Sequence, residues 1–179
     1  MKRFAQILLM TTALAAGWAQ AQPSKYPEKS ITLVVPFAAG GPTDVVARMM
    51  AIPMGASLGQ PVVVENVNGA GGTIGATKVA RAAPNGYTIF LHHMGMSTAP
   101  ALYNKLNFDP LTDFEYIGQV LDVPMTLLAR KDIPANNLQE LIAYIKANQD
   151  KVSLADAGLG AVSNLCGLMF KSAIGVNIN

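Results

Sequence analysis

Apolar and polar positions along this chain fall into blocks of two kinds: short β-branched runs, and longer stretches with apolar residues at helical spacing. The first run, Ile-Thr-Leu-Val-Val at 31–35, is apolar at nearly every position, as suits a parallel strand covered on both faces. It gives way to Gly40-Gly41, then Pro42-Thr43-Asp44 and a helical pattern reaching residue 58. Pro42 fits the first helical position, where its missing N–H costs nothing; Asp44 can cap free amides and complement the helix dipole. Pro53 is expected to kink this helix or end it early.

The alternation continues. Residues 62–65 predict a second strand, 66–72 a glycine-rich loop, and 74–82 a helix with Ala76, Val79 and Ala80 on its packing face. Pro84-Asn85-Gly86 is a turn before a third strand at 87–91. Strands alternating with helices predict βαβ units and a parallel sheet. After Ser97 the pattern changes to a short helix at 99–103, an irregular loop at 107–110, and extended runs at 114–120 and 125–129 separated by Asp122-Val123-Pro124, which reads as a boundary. A helix at 138–147, a strand at 152–155, a turn at Gly158-Leu159-Gly160 and a helix at 162–173 follow. That second turn repeats the logic of the first in a second region.

Composition sharpens this picture. With 51% hydrophobic and 13% charged residues over 179 positions, the chain can bury a core and is not a disordered polyelectrolyte. Its first residues stand apart: Met1-Lys2-Arg3 is a basic start, 7–16 an apolar stretch and Ala19-Gln20-Ala21 a small-x-small site. They predict an export signal cleaved after Ala21 and a periplasmic product, the apolar stretch being too short to span a bilayer. Thirteen basic residues stand against eleven acidic; without Lys2 and Arg3 the balance is eleven to eleven, so no basic excess remains for nucleic acid. Cys166 is the single cysteine, which rules out an intrachain disulfide and favours a core-stabilised periplasmic domain over a stapled secreted one.

Candidate chemistry is sparse. The exposed amides of a helix start at the carboxyl end of a strand make an anion site, and the Gly40-Gly41 turn offers one. The loop at 69–75 tempts a dinucleotide reading, but GxGxxG from Gly69 needs glycine where Ile74 stands, and no acidic residue follows the next strand. Gly95-Met96-Ser97-Thr98-Ala99 approximates a nucleophile elbow and gives the alternative reading, a secreted serine hydrolase using Ser97. Both histidines, His92 and His93, lie upstream of it, where a hydrolase of that fold does not keep its base. The same pair lacks a third ligand for a metal, and is expected as exposed residues at a strand end. With no catalytic set, no metal site and no cofactor motif, an exported α/β chain with anion-ready turns reads as a binding protein and not an enzyme.

Five ordered stretches, PFAAGGPTDVVAR (36–48), ENVNGAGGTIGA (65–76), PNGYT (84–88), APALYNKLNFDPLTDF (99–114) and AGLG (157–160), carry a specific likeness. The chain resembles the Bug family, periplasmic solute receptors of tripartite tricarboxylate transporters. That resemblance implies an α/β periplasmic-binding-protein fold, a Venus flytrap with parallel sheets, that closes as a monomer on a small carboxylate and presents it to membrane permease subunits. It implies that one ligand carboxylate is held by Phe37, Ala39, Gly40, Gly41, Thr43 and Asp44 of the first turn, and shared with Ala157, Gly158, Gly160 and Ala161 of the second. After the signal at 1–21, it divides the chain into a first lobe at 22–123 and the start of a second, incomplete lobe at 124–179, so that a truncated, non-functional descendant of such a receptor stands beside the receptor reading. Two departures stand out: Ala161 and Asn164 occupy positions where the family carries a hydroxyl and a histidine, and Asp156 puts a negative charge near a site meant for an anion.

Overall fold

The computed structural model describes residues 25–179; the predicted export signal and its cleavage site lie outside them. Three strands form the sheet: β1 (Ile31–Val35), β2 (Val62–Asn66) and β3 (Thr88–Phe90). All pair in parallel in the order β2-β1-β3, with Leu33 opposite both Val64 and Ile89. The chain therefore crosses over β1 between β2 and β3. The carboxyl ends of β1 and β3 flank the point where the winding reverses, the place where open α/β sheets bind ligands.

Helix α1 (Pro42–Leu58) connects β1 to β2, and α2 (Thr73–Ala80) connects β2 to β3 after a single 3-10 turn at Ala70–Gly72. The side-chain alternation of the strands sorts the two helices onto opposite faces. Leu33 and Val35 point one way and pack with Ala47 of α1, joined by Val64, Ile89 and Leu91. Phe90 points the other way and packs with Ala76 of α2, Met96 and Phe108. Val34 and Val35 are fully buried, which is why β1 needs apolar residues on both faces.

Pro53 neither kinks α1 out of assignment nor ends it; the helix runs on to Leu58. Pro53 and Met49, one turn earlier, are both exposed, so the hydrogen bond that proline removes is lost on the solvent side of the helix. Helix α3 (Gly95–Leu102) starts four residues earlier than the pattern predicts.

The second region departs most from expectation. Helices α4 (Leu138–Ala147) and α5 (Val162–Ile174) form where predicted, α4 with Asn137 accepting the Glu140 amide as its cap. The strands expected at 114–120, 125–129 and 152–155 do not form. A strand exists through its hydrogen-bonded neighbours, and among the described residues these segments have no ladder partner. Ile117 and Leu128 are 91% and 87% exposed, so the apolar residues that suggested strands stand in solvent. No helix among the described residues is long and apolar enough to cross a membrane.

Candidate functional site

The first turn is built by one buried carboxylate. Asp44, 2% exposed, sits in the first turn of α1 and accepts from the Gly40 amide at 2.8 Å, from Arg48 Nε at 2.9 Å and from Asn66 Nδ2 at 2.9 Å. Asn66, the last residue of β2, also donates to the Phe37 carbonyl at 3.0 Å, and Arg48 Nη2 donates to Asn66 Oδ1. The network ties the end of β1, the turn, α1 and the end of β2 into one unit. The Arg48 guanidinium, then the Gly40 and Asn66 donors, hold the Asp44 carboxyl well below the usual carboxylate range.

Asp44 thus caps the turn and not the helix: its acceptors reach back to Gly40, and Gly41 at the N-cap has no side-chain bond. The Gly41 amide bonds the Ala38 carbonyl, while the amides of Ala39, Thr43 and Asp44 have no partner among the described residues. Pro42 has no amide to offer. Two unpartnered N–H groups at the positive end of a seventeen-residue helix, beside the carboxyl end of the central strand, form an anion cradle.

The second turn precedes α5 and is braced in the same manner, more completely. Asp156 accepts from the Gly158 amide and from Asn164 Nδ2, both at 2.7 Å; Asn164 Oδ1 accepts from the Gly160 amide at 3.2 Å. Ser163 Oγ accepts from the Ala157 amide, and the Ala161 amide bonds the Gly158 carbonyl. The amides of Ala157, Gly158, Gly160 and Ala161 are therefore occupied from within, with Asn164 as a turn brace, while those of Leu159, Val162, Ser163 and Asn164 have no partner among the described residues, as at the start of α1. No cation pairs with Asp156 among the described residues.

The two regions meet through the backbone. Tyr103 Oη lies 2.8 Å from the Ala70 carbonyl and 2.7 Å from the Leu159 carbonyl, and its single proton serves one at a time. Thr98 Oγ1 donates to the Gly160 carbonyl at 3.2 Å. A β-carbon at Gly71 would stand 2.2 Å from the Leu159 oxygen, so only glycine allows this approach.

His92 and His93 are half-buried and packed, contrary to the expectation of exposed strand-end residues. Phe37 stacks on His93 with ring centroids 4.3 Å apart and meets His92 edge-on at 5.5 Å. Burial, then the neighbouring His93, lowers His92 to about 4, and burial lowers His93 as well, so both are neutral at pH 7.

Ser97 lies inside α3 and not on a strand-to-helix elbow. Its hydroxyl donates to the Met94 carbonyl at 2.8 Å, and both histidine Nδ1 atoms hold backbone amides, so no base engages it. It lines an open groove of about 550 Å3 with Pro100, Tyr103, Leu106 and Tyr116. Among the described residues no three histidine, cysteine or acidic side chains group to hold a metal.

Comparison with known proteins follows the same lines. Residues 46–179 match TctC, the tripartite tricarboxylate transporter family receptor. A UPF0065 protein from the TAR-I ttuE-ttuC' intergenic region of Agrobacterium vitis is 47% identical over 177 residues, covering 98% of this chain and 50% of its own length. The solved periplasmic binding protein BugD superposes with a TM-score of 0.83 at 60% identity, over 86% of this chain and 51% of that one. MatC from Rhodopseudomonas palustris, solved with bound malate, gives 0.72 at 40% identity, over 86% and 53%. The chain spans about half the length of the curated relatives it matches. The fold, a parallel sheet wrapped by helices with a second helical region, is that of the corresponding part of these periplasmic binding proteins. From this family match and its neighbours, the chain belongs to the tripartite tricarboxylate transporter receptor family.

Proposed function

We propose that this chain serves as the carboxylate-binding part of an exported solute receptor, with the first turn holding one ligand carboxylate. The observation that carries the reading is the pair of unpartnered amides, Thr43 and Asp44, held at the start of α1 by the Asp44–Arg48–Asn66 network. A carboxylate there accepts two charge-assisted hydrogen bonds in line with the helix dipole. The Thr43 hydroxyl and the Ala39 amide add donors, and Phe37, Gly40 and Gly41 shape the approach. Arg48 is committed to Asp44, so the site recognises an anion through backbone dipoles and without a free guanidinium. That MatC is described with malate bound supports a small carboxylate as the ligand class.

In this reading residues 22–123 make the first lobe and 124–179 begin the second. Ala157, Gly158, Gly160 and Ala161 close against the first lobe; their amides reach a ligand only if Asp156, Ser163 or Asn164 lets go. Export follows cleavage after Ala21, the receptor acts as a monomer, and membrane permease subunits take the ligand from it.

Succinate titrated into the 15N-labelled chain tests this. The amides of Ala39, Thr43 and Asp44 are expected to shift together and to saturate. Gly40→Val should abolish the shifts, because Gly40 has φ of 81°, a left-handed conformation costing a β-branched residue about 1–2 kcal/mol. Shifts confined to other residues would move the site elsewhere.

A further inference from the structure

His92 and His93 follow β3 at its carboxyl end, next to β1 and the first turn, and nothing above uses them. Each ring is fixed through Nδ1 by a backbone donor: the His93 amide reaches His92 Nδ1 at 2.7 Å, and the Gly95 amide reaches His93 Nδ1 at 3.1 Å. The His93 carbonyl also lies 3.0 Å from His92 Nδ1, but the shorter contact is the one in which Nδ1 accepts; a neutral ring whose Nδ1 accepts carries its proton on Nε2, so in that tautomer each imidazole presents one N–H donor. Neither Nε2 has a partner among the described residues. No fully enclosed side-chain nitrogen or oxygen there lacks a partner, so neither Nε2 atom is completely sealed from solvent.

The surroundings keep that opening free and fix the rings. Phe37 stacks on His93, and Phe90 meets His92 edge-on with centroids 5.2 Å apart. A β-carbon at Gly72 would come within 2.7 Å of His92 Nε2. One at Gly95 would lie 3.1 Å from His93 Cε1 and 3.2 Å from both His92 Cε1 and the Gly160 oxygen. Glycine at these two places leaves the ring edges uncovered just where the second turn comes down. No acidic side chain pairs with either ring among the described residues: β1 and its turn present Phe37, β3 presents Phe90, α3 presents Gly95, and the second turn presents a carbonyl.

We propose that His92 and His93 are a specificity-determining donor pair that hydrogen-bonds the far end of the ligand, selecting a carboxylate that carries a second acceptor group, a hydroxyl or a second carboxylate. The assignment rests on the receptor reading, in which the first turn holds the near carboxylate. Two neutral donors recognise an acceptor without requiring a full second charge, and Phe37 joins them mechanically to the turn that grips the first carboxylate. A ligand with one carboxylate and an alkyl tail leaves both donors without a partner, which costs affinity in a desolvated site.

The chain has only two histidines, so imidazole nitrogen spectra of the labelled full chain report on this pair directly. Malate and propionate are the probes. Malate is expected to shift the first-turn amides together with the Nε2–H resonances and to slow exchange of those protons; propionate should shift the amides alone. His92→Phe keeps the ring packing and removes the donor, so malate affinity should fall about tenfold, towards that of propionate. His92→Gln, whose amide nitrogen reaches the place of Nε2, should restore most of it. Malate shifting the turn amides while both imidazoles stay still overturns the donor pair and leaves the receptor reading standing. Malate shifting neither overturns both.

Discussion

The two glycine turns are braced by the same pair of residue types and end in different states. In the first, Asp44 and Asn66 come from different elements, Arg48 balances the carboxylate, and the bracing bonds run backward to Gly40 and Phe37. The amides of Thr43 and Asp44 stay free. In the second, Asp156, Ser163 and Asn164 lie within eight positions of one another, and their bonds run to the turn's own amides. The difference teaches that glycines before a helix do not by themselves make an anion site; what decides is where the neighbouring side chains spend their acceptors. The helix starts themselves are alike, Ser163 and Asn164 being as unpartnered as Thr43 and Asp44; the turns differ ahead of the helix, where the Ala157 and Gly158 amides are held by Ser163 and Asp156 and no side chain holds the Ala39 amide.

Asp44→Ala should have the largest effect on this contrast. It removes the acceptor of three donors at a buried position and frees Arg48 and Asn66 from their places. The melting temperature should fall by roughly 10 °C, with loss of succinate-induced shifts at Thr43. Thermal denaturation followed by circular dichroism, with the same titration, checks both. An unchanged melting temperature would mean that the turn is held by other contacts.

Acidification should separate the turns next. The folded-state Asp44 carboxyl is depressed, so its contribution is complete above the unfolded value of about 3.9 and is lost as pH falls through that value towards the folded one. Wild type and Asp44→Asn should therefore differ above pH 5 and converge below it. His92, lowered to about 4 by burial, adds a different limb common to both proteins. The unfolded ring takes up a proton near pH 6.5 and the folded ring only near 4, so stability declines as pH falls across that window. Urea midpoints measured from pH 7 to pH 2 resolve the two limbs, and a difference between the proteins that persists unchanged to pH 2 would exclude Asp44 as the titrating group.

How far the sequence reveals this can be judged at particular residues. Residues 31–35 announce β1 because burial on both faces leaves Thr32 as the single polar position in the run, and Pro42 with Gly40-Gly41 announces the start of α1. Residues 114–120 and 125–129 misled because β-branched and aromatic composition reports that a segment fits a sheet, and says nothing of whether a neighbour exists to pair with it. Asp44 was legible as a cap near a helix start; that it serves Gly40 through a three-way network depends on Asn66, twenty-two positions away. His92 and His93 carried no such signal, since their burial comes from Phe37 and from two glycines whose significance is visible only in space.

Tyr103→Phe sharpens the contact between the regions with a smaller effect. The substitution removes one hydroxyl shared by the Ala70 and Leu159 carbonyls and keeps the ring, so the cost is about 1 kcal/mol. The loss should be local: hydrogen exchange at residues 158–161 should accelerate while exchange in β1 stays as it was. Equal acceleration in both would show that the second turn is not separately hinged on this phenol.

Asp156→Asn should have the smallest effect, and it isolates charge from occupancy. The variant keeps an oxygen that can accept from the Gly158 amide and removes the negative charge, which no cation balances among the described residues. For a charge about one Debye length away, roughly 8 Å, the repulsion of a carboxylate in a water-like medium is about 0.5 kcal/mol, so affinity should rise by no more than about twofold. Salt should erase that gain, since the Debye length falls below the separation near about 0.15 M. Asp156→Ala frees the Gly158 amide as well, and a further rise beyond the Asn variant that persists in salt would show the second turn able to donate once its brace is gone. Succinate titrations of the three proteins at low and high salt distinguish these contributions. If neither variant exceeds wild type at low salt, the Asp156 carboxylate lies too far from the ligand to matter, and the second turn covers the site without repelling what binds there.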